Sequence, residues 1–435
     1  MSRPGIQTTS KQLSERDAEL LVRHLDADVQ SLLLNDAIPR NSEIRNLSDE
    51  TDSATTRVSR TLCLRCHNLL HQNHEIAPAQ SNLITDHQIF AKMRKEQNGI
   101  VLLVVDIYDF PFSLVRNVQQ IIGSHRPIVL VVNKVDVLPN PDRHSARVQK
   151  WVREQCKQLG LPTFKNICLV SAKKGYGIFE LINTIRELRD AKDDIYMVGY
   201  TNVGKSQVLN ALLNKTKESS HLKVTSSKVP GTTIGKISVP LSVFENLLGP
   251  VDDKPRDIID TPGIVNQQQA IHFLRPELLD TILPKQRVKP LNYRLPEGKT
   301  IFLGPFARID VVEAEKPIIA TVCSAISPHI VTTCKISTDT SHPTHDPKTL
   351  NILNVAQLPT LQPLPNYIQA HGDGSPVAQF DLALSGAGWI GFAGIAGKLK
   401  LTVWSPGGDE GLVWKREPAL LPFEFSAKGK KLTKL

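Results

Sequence analysis

Residues 199–206 have the sequence Gly-Tyr-Thr-Asn-Val-Gly-Lys-Ser, and this stretch decides the fold. A strand-like run, Ile-Tyr-Met-Val, precedes it, and residues 208–213 continue it with helical spacing. A glycine-rich turn between a strand and a helix presents backbone N–H groups to phosphate, and the helix N-terminus favours negative charge there. We expect Gly199 and Gly204 to close the turn, Lys205 to contact β- and γ-phosphate oxygens, and Ser206 to bind Mg²⁺. The stretch therefore predicts an α/β domain that binds a nucleotide.

Two motifs before this loop predict which base is bound. Asn133-Lys134-Val135-Asp136 follows one apolar run, and Ser171-Ala172-Lys173 follows the next. Asp136 can accept two hydrogen bonds from N1–H and the N2 amino group of guanine, a pair that adenine does not offer. We expect Asn133 to hold N7, the Lys134 stem to lie along the ring, and the Ser171–Lys173 turn to face O6. Alone, the first motif is a common loop string with a solvated aspartate, but its position after an apolar strand favours guanine.

Two motifs after the loop predict the metal and the γ-phosphate contacts. Asp260-Thr261-Pro262-Gly263 follows a short apolar run, and Pro230-Gly231-Thr232-Thr233 precedes it. We expect Asp260 to hold Mg²⁺ through water and the Gly263 N–H to sense the γ-phosphate. Thr233 is the expected third Mg²⁺ ligand, because it fits the usual Pro-Gly-x-Thr form, and Thr232 is the alternative.

The order of these motifs is rotated. In most GTPases the phosphate loop comes first, whereas here both base-reading motifs precede it. The chain is therefore predicted to be a circularly permuted GTPase in which the segment after Gly263 leads directly into the C-terminal half. We expect γ-phosphate sensing at Gly263 to reposition that half.

Hydrolysis by the lone protein is predicted to be slow. Many GTPases place a glutamine after the Asp-x-x-Gly motif to orient the attacking water, but this chain has Ile264, which cannot donate or accept a hydrogen bond. Unaided rates are on the order of 10⁻⁴ s⁻¹. The expected catalytic groups are Lys205, Thr233, Gly263 and Asn202. The Asn202 side chain is either a K⁺ ligand or a loop cap.

Composition narrows the classes of protein. The 435 residues carry 52 Lys and Arg against 43 Asp and Glu, a net charge of +9. This surplus suits an anionic partner such as RNA or an acidic membrane face, although it is also compatible with an ordinary solvated surface. The apolar fraction of 40% is typical of globular proteins, and the sequence has no apolar run of membrane-spanning length. Six cysteines indicate a reducing compartment, and the acidic first 28 residues do not resemble a mitochondrial presequence.

Patterning predicts three regions. Residues 1–97 form a polar segment with a cysteine and histidine cluster, and residues 98–265 alternate apolar strands with helices around a mostly parallel sheet. Residues 266–435 combine a linker with a β-rich domain. Helices are predicted at 112–123, 145–159 and 177–189 and around 272–283, and a proline-rich linker is predicted at 337–379.

The ordered motifs resemble the YqeH-like branch of circularly permuted GTPases. That branch includes the plastid and mitochondrial nitric-oxide-associated proteins and the fungal "genetic interactor of prohibitins" proteins. Because of its polar insertions, this chain most resembles the fungal proteins. Three further stretches carry the resemblance: the strand end at 105–110, Val-Asp-Ile-Tyr-Asp-Phe; Cys63-x-Arg65-Cys66 with its following Leu69 and His71; and residues 381–389, Asp-Leu-Ala-Leu-Ser-Gly-Ala-Gly-Trp.

The resemblance implies a GTP-dependent, K⁺-stimulated factor in assembly of the mitochondrial small ribosomal subunit, with rRNA bound by the β-rich domain. Two other functions remain open: a mitochondrial factor linked to prohibitins and membrane lipids, and an RNA-binding scaffold that does not hydrolyse GTP. Peripheral membrane association lacks support, because no basic amphipathic helix is present.

The zinc-finger resemblance is incomplete. A structural zinc site needs four ligands, and no cysteine precedes Cys63 to supply the pair that the family places upstream. Residues 5–7, Gly-Ile-Gln, resemble those that follow the missing pair. Cys63 and Cys66 are the candidate ligands of a partial Zn²⁺ site, and His67, His71 and His74 are either substitute ligands or a solvated face. With the second cysteine pair missing, we do not expect this chain to bind zinc.

Overall fold

The computed structural model describes residues 6–8, 90, 93–94, 98–123, 125–139, 141–216, 222–224, 237–264, 266, 269, 282–336 and 359–421. The predictions for Cys63, Cys66 and Thr233, for most of the helix around 272–283 and for the part of the β-rich domain beyond residue 421 lie outside these residues. Near the N-terminus, Ile6–Thr8 (β1) pairs antiparallel with Leu222–Val224 (β6).

The predicted nucleotide-binding motifs belong to a mixed sheet, and its strand order is β4-β3-β2-β5-β8-β7. Strands β2, β3, β4, β5 and β8 are parallel, and β7 pairs antiparallel with β8 at one edge. The bounds are Ile100–Asp106 (β2), Ile128–Asn133 (β3), Asn166–Leu169 (β4), Ile195–Val198 (β5), Ile237–Pro240 (β7) and Asp257–Asp260 (β8).

Helices cover both faces of this sheet, which explains the continuous apolar runs. In β2, Val101, Leu103 and Val105 pack into one core cluster. The alternate residues of the same strand pack into the other cluster. The helices are Val118–Ile122 (α1), Pro141–Gln158 (α2), Ile178–Leu188 (α3), Lys205–Leu213 (α4) and Glu245–Leu248 (α5). Helices α1 and α2 lie on the first face and α3, α4 and α5 on the second. The prediction of a mostly parallel α/β domain is confirmed.

One predicted helix is much shorter than expected. Helical spacing suggested residues 112–123, but α1 begins only at Val118. Turns precede it, because the Ser113 hydroxyl bonds both the N–H and the carbonyl of Asp106 and so competes with helical hydrogen bonding.

The C-terminal region is a sandwich of two antiparallel sheets around a second core. One sheet has the order β13-β10-β11-β18-β14, with β15 also paired to β18, and the other has the order β19-β16-β17-β12-β9. The bounds are Leu291–Leu295 (β9), Lys299–Leu303 (β10), Ala307–Ala314 (β11), Ile318–Cys323 (β12), His329–Thr332 (β13), Leu361–Pro363 (β14), Ile368–Asp373 (β15), Phe380–Leu384 (β16), Gly388–Ala393 (β17), Ala396–Pro406 (β18) and Val413–Arg416 (β19). The predicted β-rich region is confirmed.

The predicted linker at 337–379 is wrong in its second half, which contains β14 and β15. Proline is tolerated in an edge strand such as β14, so Pro363 marked the edge of a sheet and not a linker. Strand β15 alternates exposed and half-buried residues and therefore carries little apolar signal.

The two halves share packed contacts. Tyr108, after β2, meets the Trp389 ring edge-on at 6.0 Å between centroids. Arg416 donates from Nη1 to the Phe110 carbonyl at 2.9 Å, and its Nε donates to the buried Asp381 carboxylate. Trp151 in α2 donates to the Pro418 carbonyl at 2.8 Å. Consequently the β-sandwich packs directly against the edge of the nucleotide domain. Among the described residues, no helix combines the length and apolarity needed to cross a membrane.

Candidate guanine-nucleotide site

The predicted site residues meet at one edge of the parallel sheet. Asn133 is the last residue of β3, Ser171 follows β4, Gly199 follows β5, and Asp260 ends β8. Because these strands are parallel and adjacent, their carboxyl ends lie side by side, which is where open α/β sheets bind ligands. The structure thus brings together motifs that are separated by up to 127 residues in the sequence.

The phosphate loop depends on glycine at both ends. A Cβ atom on Gly199 would lie 2.4 Å from the Val104 carbonyl oxygen. A Cβ atom on Gly204, whose φ is 91°, would lie 2.4 Å from Nδ2 of Asn133. Gly204 is also the residue before α4, so the loop turns directly into the helix N-terminus. A larger residue at Gly204 would push the phosphate loop away from the base-reading loop, and one at Gly199 would push it away from β2.

Lys205 lies inside this loop. Its side chain is buried, and Nζ donates to the carbonyl oxygens of Gly199 at 3.1 Å and Tyr200 at 3.0 Å. An ammonium enclosed by a glycine-rich loop at a helix N-terminus is suited to bind phosphate oxygens.

Ser206 and Asp260 form a hydroxyl–carboxylate pair beside it. The Ser206 hydroxyl donates to Oδ2 of Asp260 at 2.5 Å, and Asp260 is fully buried. Burial raises the pKa of Asp260 to about 6, although the Lys205 charge and the Ser206 hydrogen bond oppose the increase. Within the part of the chain that the structure describes, Oδ1 of Asp260 has no hydrogen-bond donor. A buried carboxylate oxygen without a donor, next to a hydroxyl, fits a Mg²⁺ ion.

The base-reading loops are joined by side-chain hydrogen bonds. Ser171 donates from Oγ to Oδ1 of Asp136 at 2.7 Å, so the second carboxylate oxygen of Asp136 is left to face a base. The Ser171 carbonyl accepts from Gly175 N at 2.8 Å, which closes a tight turn around Ala172 and Lys173.

Asn133 joins the two loops to the phosphate loop. Its Oδ1 accepts from Ala172 N at 3.1 Å, and its Nδ2 donates to the Val203 carbonyl at 3.0 Å. Of the two Nδ2 hydrogens, one is therefore left to donate to a base. The contacts that the structure shows for Asn133 are those that join the three loops.

Lys134 and Lys173 point to partners that the motifs did not predict. Lys134 donates from Nζ to Oδ2 of Asp106 at 2.7 Å and to the Asn202 carbonyl at 2.8 Å. Lys173 is exposed and donates from Nζ to the Lys285 carbonyl at 2.6 Å. The nearby Val288 N donates to the Val137 carbonyl at 2.8 Å. The segment before β9 therefore docks on both base-reading loops.

The segment after Asp260 lies against the phosphate loop. Thr201 N donates to the Ile264 carbonyl at 3.0 Å, and Ile264 N donates to the Gly199 carbonyl at 3.2 Å. A Cβ atom on Gly263 would lie 2.8 Å from Cα of Thr201, so only glycine fits this approach. The half-buried Ile264 places an apolar side chain where many GTPases have a polar one.

Asn202 adopts a left-handed backbone with φ of 67°. Within the described residues its buried Nδ2 has no hydrogen-bond partner, while its carbonyl accepts from Lys134. The amide therefore does not act as a loop cap through Nδ2 in this conformation.

Sequence reasoning missed a buried carboxylate between the two halves. Asp109 accepts from Gln269 Nε2 at 2.8 Å through Oδ2 and from Gly386 N at 2.8 Å through Oδ1. Burial raises its pKa to about 7. Asp109 lies in the 105–110 stretch, which entered the sequence predictions only through the family resemblance. The one sequence signal for a buried role is that this carboxylate closely follows an apolar strand.

Comparisons with known proteins agree with this geometry. A family model described as "50S ribosome-binding GTPase" matches residues 194–286. The Bacillus subtilis "Uncharacterized protein YqeH" is 34% identical over 59% of this chain and 65% of its own length. Human "Nitric oxide-associated protein 1" is 23% identical over 91% of this chain and 74% of its own. The Arabidopsis thaliana "NO-associated protein 1, chloroplastic/mitochondrial" is 26% identical over 58% of this chain and 48% of its own.

The match thus spans less than two thirds of the Bacillus and Arabidopsis proteins. The chain contains a P-loop GTPase domain, and it is similar to YqeH and to the nitric-oxide-associated proteins.

Proposed function

We propose that this chain is a GTP-binding, slowly hydrolysing switch protein that acts in assembly of the mitochondrial small ribosomal subunit. The nucleotide-binding part of this proposal rests on one observation. The Asp136–Ser171 pair, Lys205 and the Ser206–Asp260 pair meet at adjacent strand ends. The proposed nucleotide contacts are Asn133, Lys134, Asp136, Ser171, Ala172, Lys173, Gly199, Asn202, Gly204, Lys205, Ser206, Asp260 and Gly263.

Calorimetric titration tests the nucleotide specificity. GDP should bind in the presence of Mg²⁺, while ADP should give no measurable heat, because adenine would leave the Asp136 carboxylate unpaired. Equal affinity for ADP, or no heat with GDP, would contradict the proposal.

Ser206 and Asp260 are proposed to hold Mg²⁺, with Thr233 as a third ligand. When bound, the ion neutralises charge on the β- and γ-phosphates. Lys205 adds a fixed positive charge beside them, and the buried Asp260 carboxylate would hold the ion through a water molecule.

Ile264 supports a slow intrinsic rate, because it cannot orient water. We propose that the side-chain oxygen of Asn202 contributes to a K⁺ site, because this residue lies in the phosphate loop three residues before Lys205. Comparing GTP hydrolysis in KCl and in NaCl tests this point: wild type should be faster in KCl, and Asn202→Ala should lose the difference. Equal rates in the two salts for wild type would contradict the K⁺ site.

The switch is proposed to act through the segment that follows Gly263. Gln269 in that segment donates to Asp109, and Asp109 also accepts from Gly386 of the sandwich, so one carboxylate contacts both partners. γ-Phosphate binding at Gly263 would shift this connection and with it the β-rich region. Limited proteolysis within residues 264–300 should differ between GDP and a non-hydrolysable GTP analogue, and Gln269→Ala should reduce the difference. Identical patterns in wild type would exclude the mechanism.

RNA is the proposed partner of the β-rich region. Arg308 stacks over Trp404 with 4.1 Å between the guanidinium carbon and the ring centroid, and Lys400 Nζ lies 3.8 Å from the Tyr367 centroid. Tyr367 is half exposed. At the accessible Tyr367 ring, the Lys400 cation can contact phosphates while the ring stacks on an unpaired base, whereas the Arg308 side chain is only 12% exposed. The matched family description names binding to the 50S subunit, which supports a ribosomal partner but does not support the choice of the small subunit.

Cross-linking and sequencing of RNA bound in cells tests the partner. A Ser206→Ala trap should enrich small-subunit rRNA, and adding Arg308→Ala with Lys400→Ala should reduce the yield. Two outcomes favour other functions: binding to anionic liposomes without rRNA cross-links favours a lipid-linked factor, and full function of Lys205→Ala favours a non-hydrolysing scaffold.

We also propose that the protein is mitochondrial, that it is related to the fungal "genetic interactor of prohibitins" proteins, and that its three regions divide at residues 97 and 265. The name of the Arabidopsis relative includes a chloroplastic or mitochondrial location, which supports the proposed mitochondrial location. Fluorescence microscopy of the tagged natural gene product, compared with a mitochondrial marker, tests it.

A further inference from the structure

Strand β2 lies between the strand that ends in the base-reading motif and the strand that enters the phosphate loop. It pairs with β3 on one side and β5 on the other, and Asp106 at its end lies directly opposite Asn133. A side chain at this position can reach both halves of the site.

The backbone and carboxylate of Asp106 are fixed by neighbours in the following turn. Ser113 Oγ accepts from Asp106 N at 3.1 Å and donates to its carbonyl at 2.8 Å. Tyr108 N donates to Oδ1 at 2.9 Å. Asp106 is also buried, so its remaining oxygen points in one direction.

That oxygen receives Lys134. Nζ of Lys134 lies 2.7 Å from Oδ2 of Asp106 and 2.8 Å from the Asn202 carbonyl oxygen in the phosphate loop. Lys134 has a left-handed backbone, with φ of 63°, which a non-glycine residue adopts only when its surroundings hold it. Its long side chain would otherwise sample many rotamers.

We propose that Asp106 is a positioning residue for nucleotide binding. It holds the Lys134 ammonium against Asn202 and thereby locks the base-reading loop to the phosphate loop before a nucleotide arrives. Asp106 does not contact the nucleotide, and its effect passes through Lys134. The inference rests on the proposed guanine-nucleotide site and adds a residue that none of the sequence motifs assigned to it.

A double-mutant cycle tests the dependence on Lys134. GDP affinity is measured by calorimetry for wild type, Asp106→Ala, Lys134→Met and the double variant, since methionine keeps the stem and removes the ammonium. Asp106→Ala should weaken GDP binding about tenfold, as expected for the loss of a hydrogen bond to a charged group. The double variant should bind no more weakly than Lys134→Met alone. A further tenfold loss in the double variant would show that Asp106 acts independently of Lys134 and would overturn the proposal.

Asp106→Asn provides a variant of nearly unchanged size. Both carboxylate oxygens face donors, so either orientation of the amide sets an NH₂ group against Tyr108 N–H or the Lys134 ammonium. This variant should therefore bind GDP as weakly as Asp106→Ala. Wild-type affinity in Asp106→Asn would overturn the proposal.

Asp310→Asn is the matched control. Asp310 is also a buried carboxylate with a cationic partner, Arg308, at 2.9 Å, but it lies in the β-sandwich. It should leave GDP affinity unchanged. Absence of GDP binding to wild type would overturn the nucleotide site and this inference together, whereas wild-type binding with an unaffected Asp106→Ala variant would overturn this inference alone.

Discussion

Oγ of Ser171 lies 2.7 Å from Oδ1 of Asp136 and fixes that carboxylate from a loop 35 residues further along the chain. One oxygen of Asp136 is thereby committed to the protein, and the pair presents a preset acceptor to a base. The relationship ties base recognition to the turn after β4, because moving Ser171 would rotate the carboxylate.

Asp136→Asn should change base preference. The amide places a donor where guanine also has donors, whereas xanthine offers a carbonyl at C2. We expect GDP affinity to fall by about 100-fold or more, and XDP affinity to rise above that of wild type. Calorimetric titration with both nucleotides measures the change, with Asp310→Asn as control. Equal weakening for GDP and XDP would mean that Asp136 supports the loop without reading the base.

Gly204→Ala should impair the phosphate loop. The added methyl group would overlap Nδ2 of Asn133 at 2.4 Å, in addition to the strain of a left-handed backbone. GDP affinity should fall at least about tenfold, since overpacking costs on the order of 1–3 kcal/mol.

Gly160→Ala separates the two effects. Gly160 has a similar φ of 69°, but a Cβ atom there would meet nothing within 4 Å. This variant should lose about 1 kcal/mol of folding stability and keep wild-type GDP affinity. If both variants bind GDP equally well, the close approach of Asn133 does not control the loop.

Asp109 should make stability depend on pH. Burial raises its pKa from 3.8 to about 7, with Asp106 adding to the increase and Lys134 opposing it. The folded protein therefore binds this proton more tightly than the unfolded chain, and its contribution is fully present below about pH 4 and lost as the pH rises to about 7. The loss amounts to at most about 4 kcal/mol, at 1.36 kcal/mol for each pKa unit.

Chemical denaturation between pH 4 and pH 8.5 measures this effect. Asp109→Asn should flatten the decrease in unfolding free energy over that range. Asp373→Asn, at the exposed end of β15, controls for the substitution itself and should follow wild type. An Asp109→Asn protein with the wild-type pH dependence would show that another group is responsible.

Asp381→Asn should strongly destabilise the junction between the two halves. Arg416 is fully buried beside Asp381, so the substitution removes the counter-charge of an enclosed guanidinium. We expect a loss of about 3–5 kcal/mol in unfolding free energy. Glu417→Gln breaks the neighbouring exposed pair with Lys415 and should cost under about 1 kcal/mol. Similar losses in the two variants would contradict a special role for the buried pair.

Local patterns predicted much of the fold and the strand-end positions of the motifs. Apolar runs such as 100–106 are dictated by burial on both faces, and the turn residues of the phosphate loop are dictated by backbone geometry, so both are visible in short stretches. The pairing of Asp109 with Gly386, 277 residues away, has no local signature. The same holds for Lys134 with Asp106, since periodicity identifies a buried face but does not identify a polar partner.

The central place of β2 has a consequence for biosynthesis. It is the first strand of its sheet to be made, and β3 and then β4 extend the sheet on one side before β5 and the β7–β8 hairpin extend it on the other. Each new strand is added at an edge of the growing sheet, and none must be inserted between strands that are already paired. A nascent chain can therefore build outward from the middle as it emerges, and it gains a complete nucleotide site only when β8, the last parallel strand, brings in Asp260.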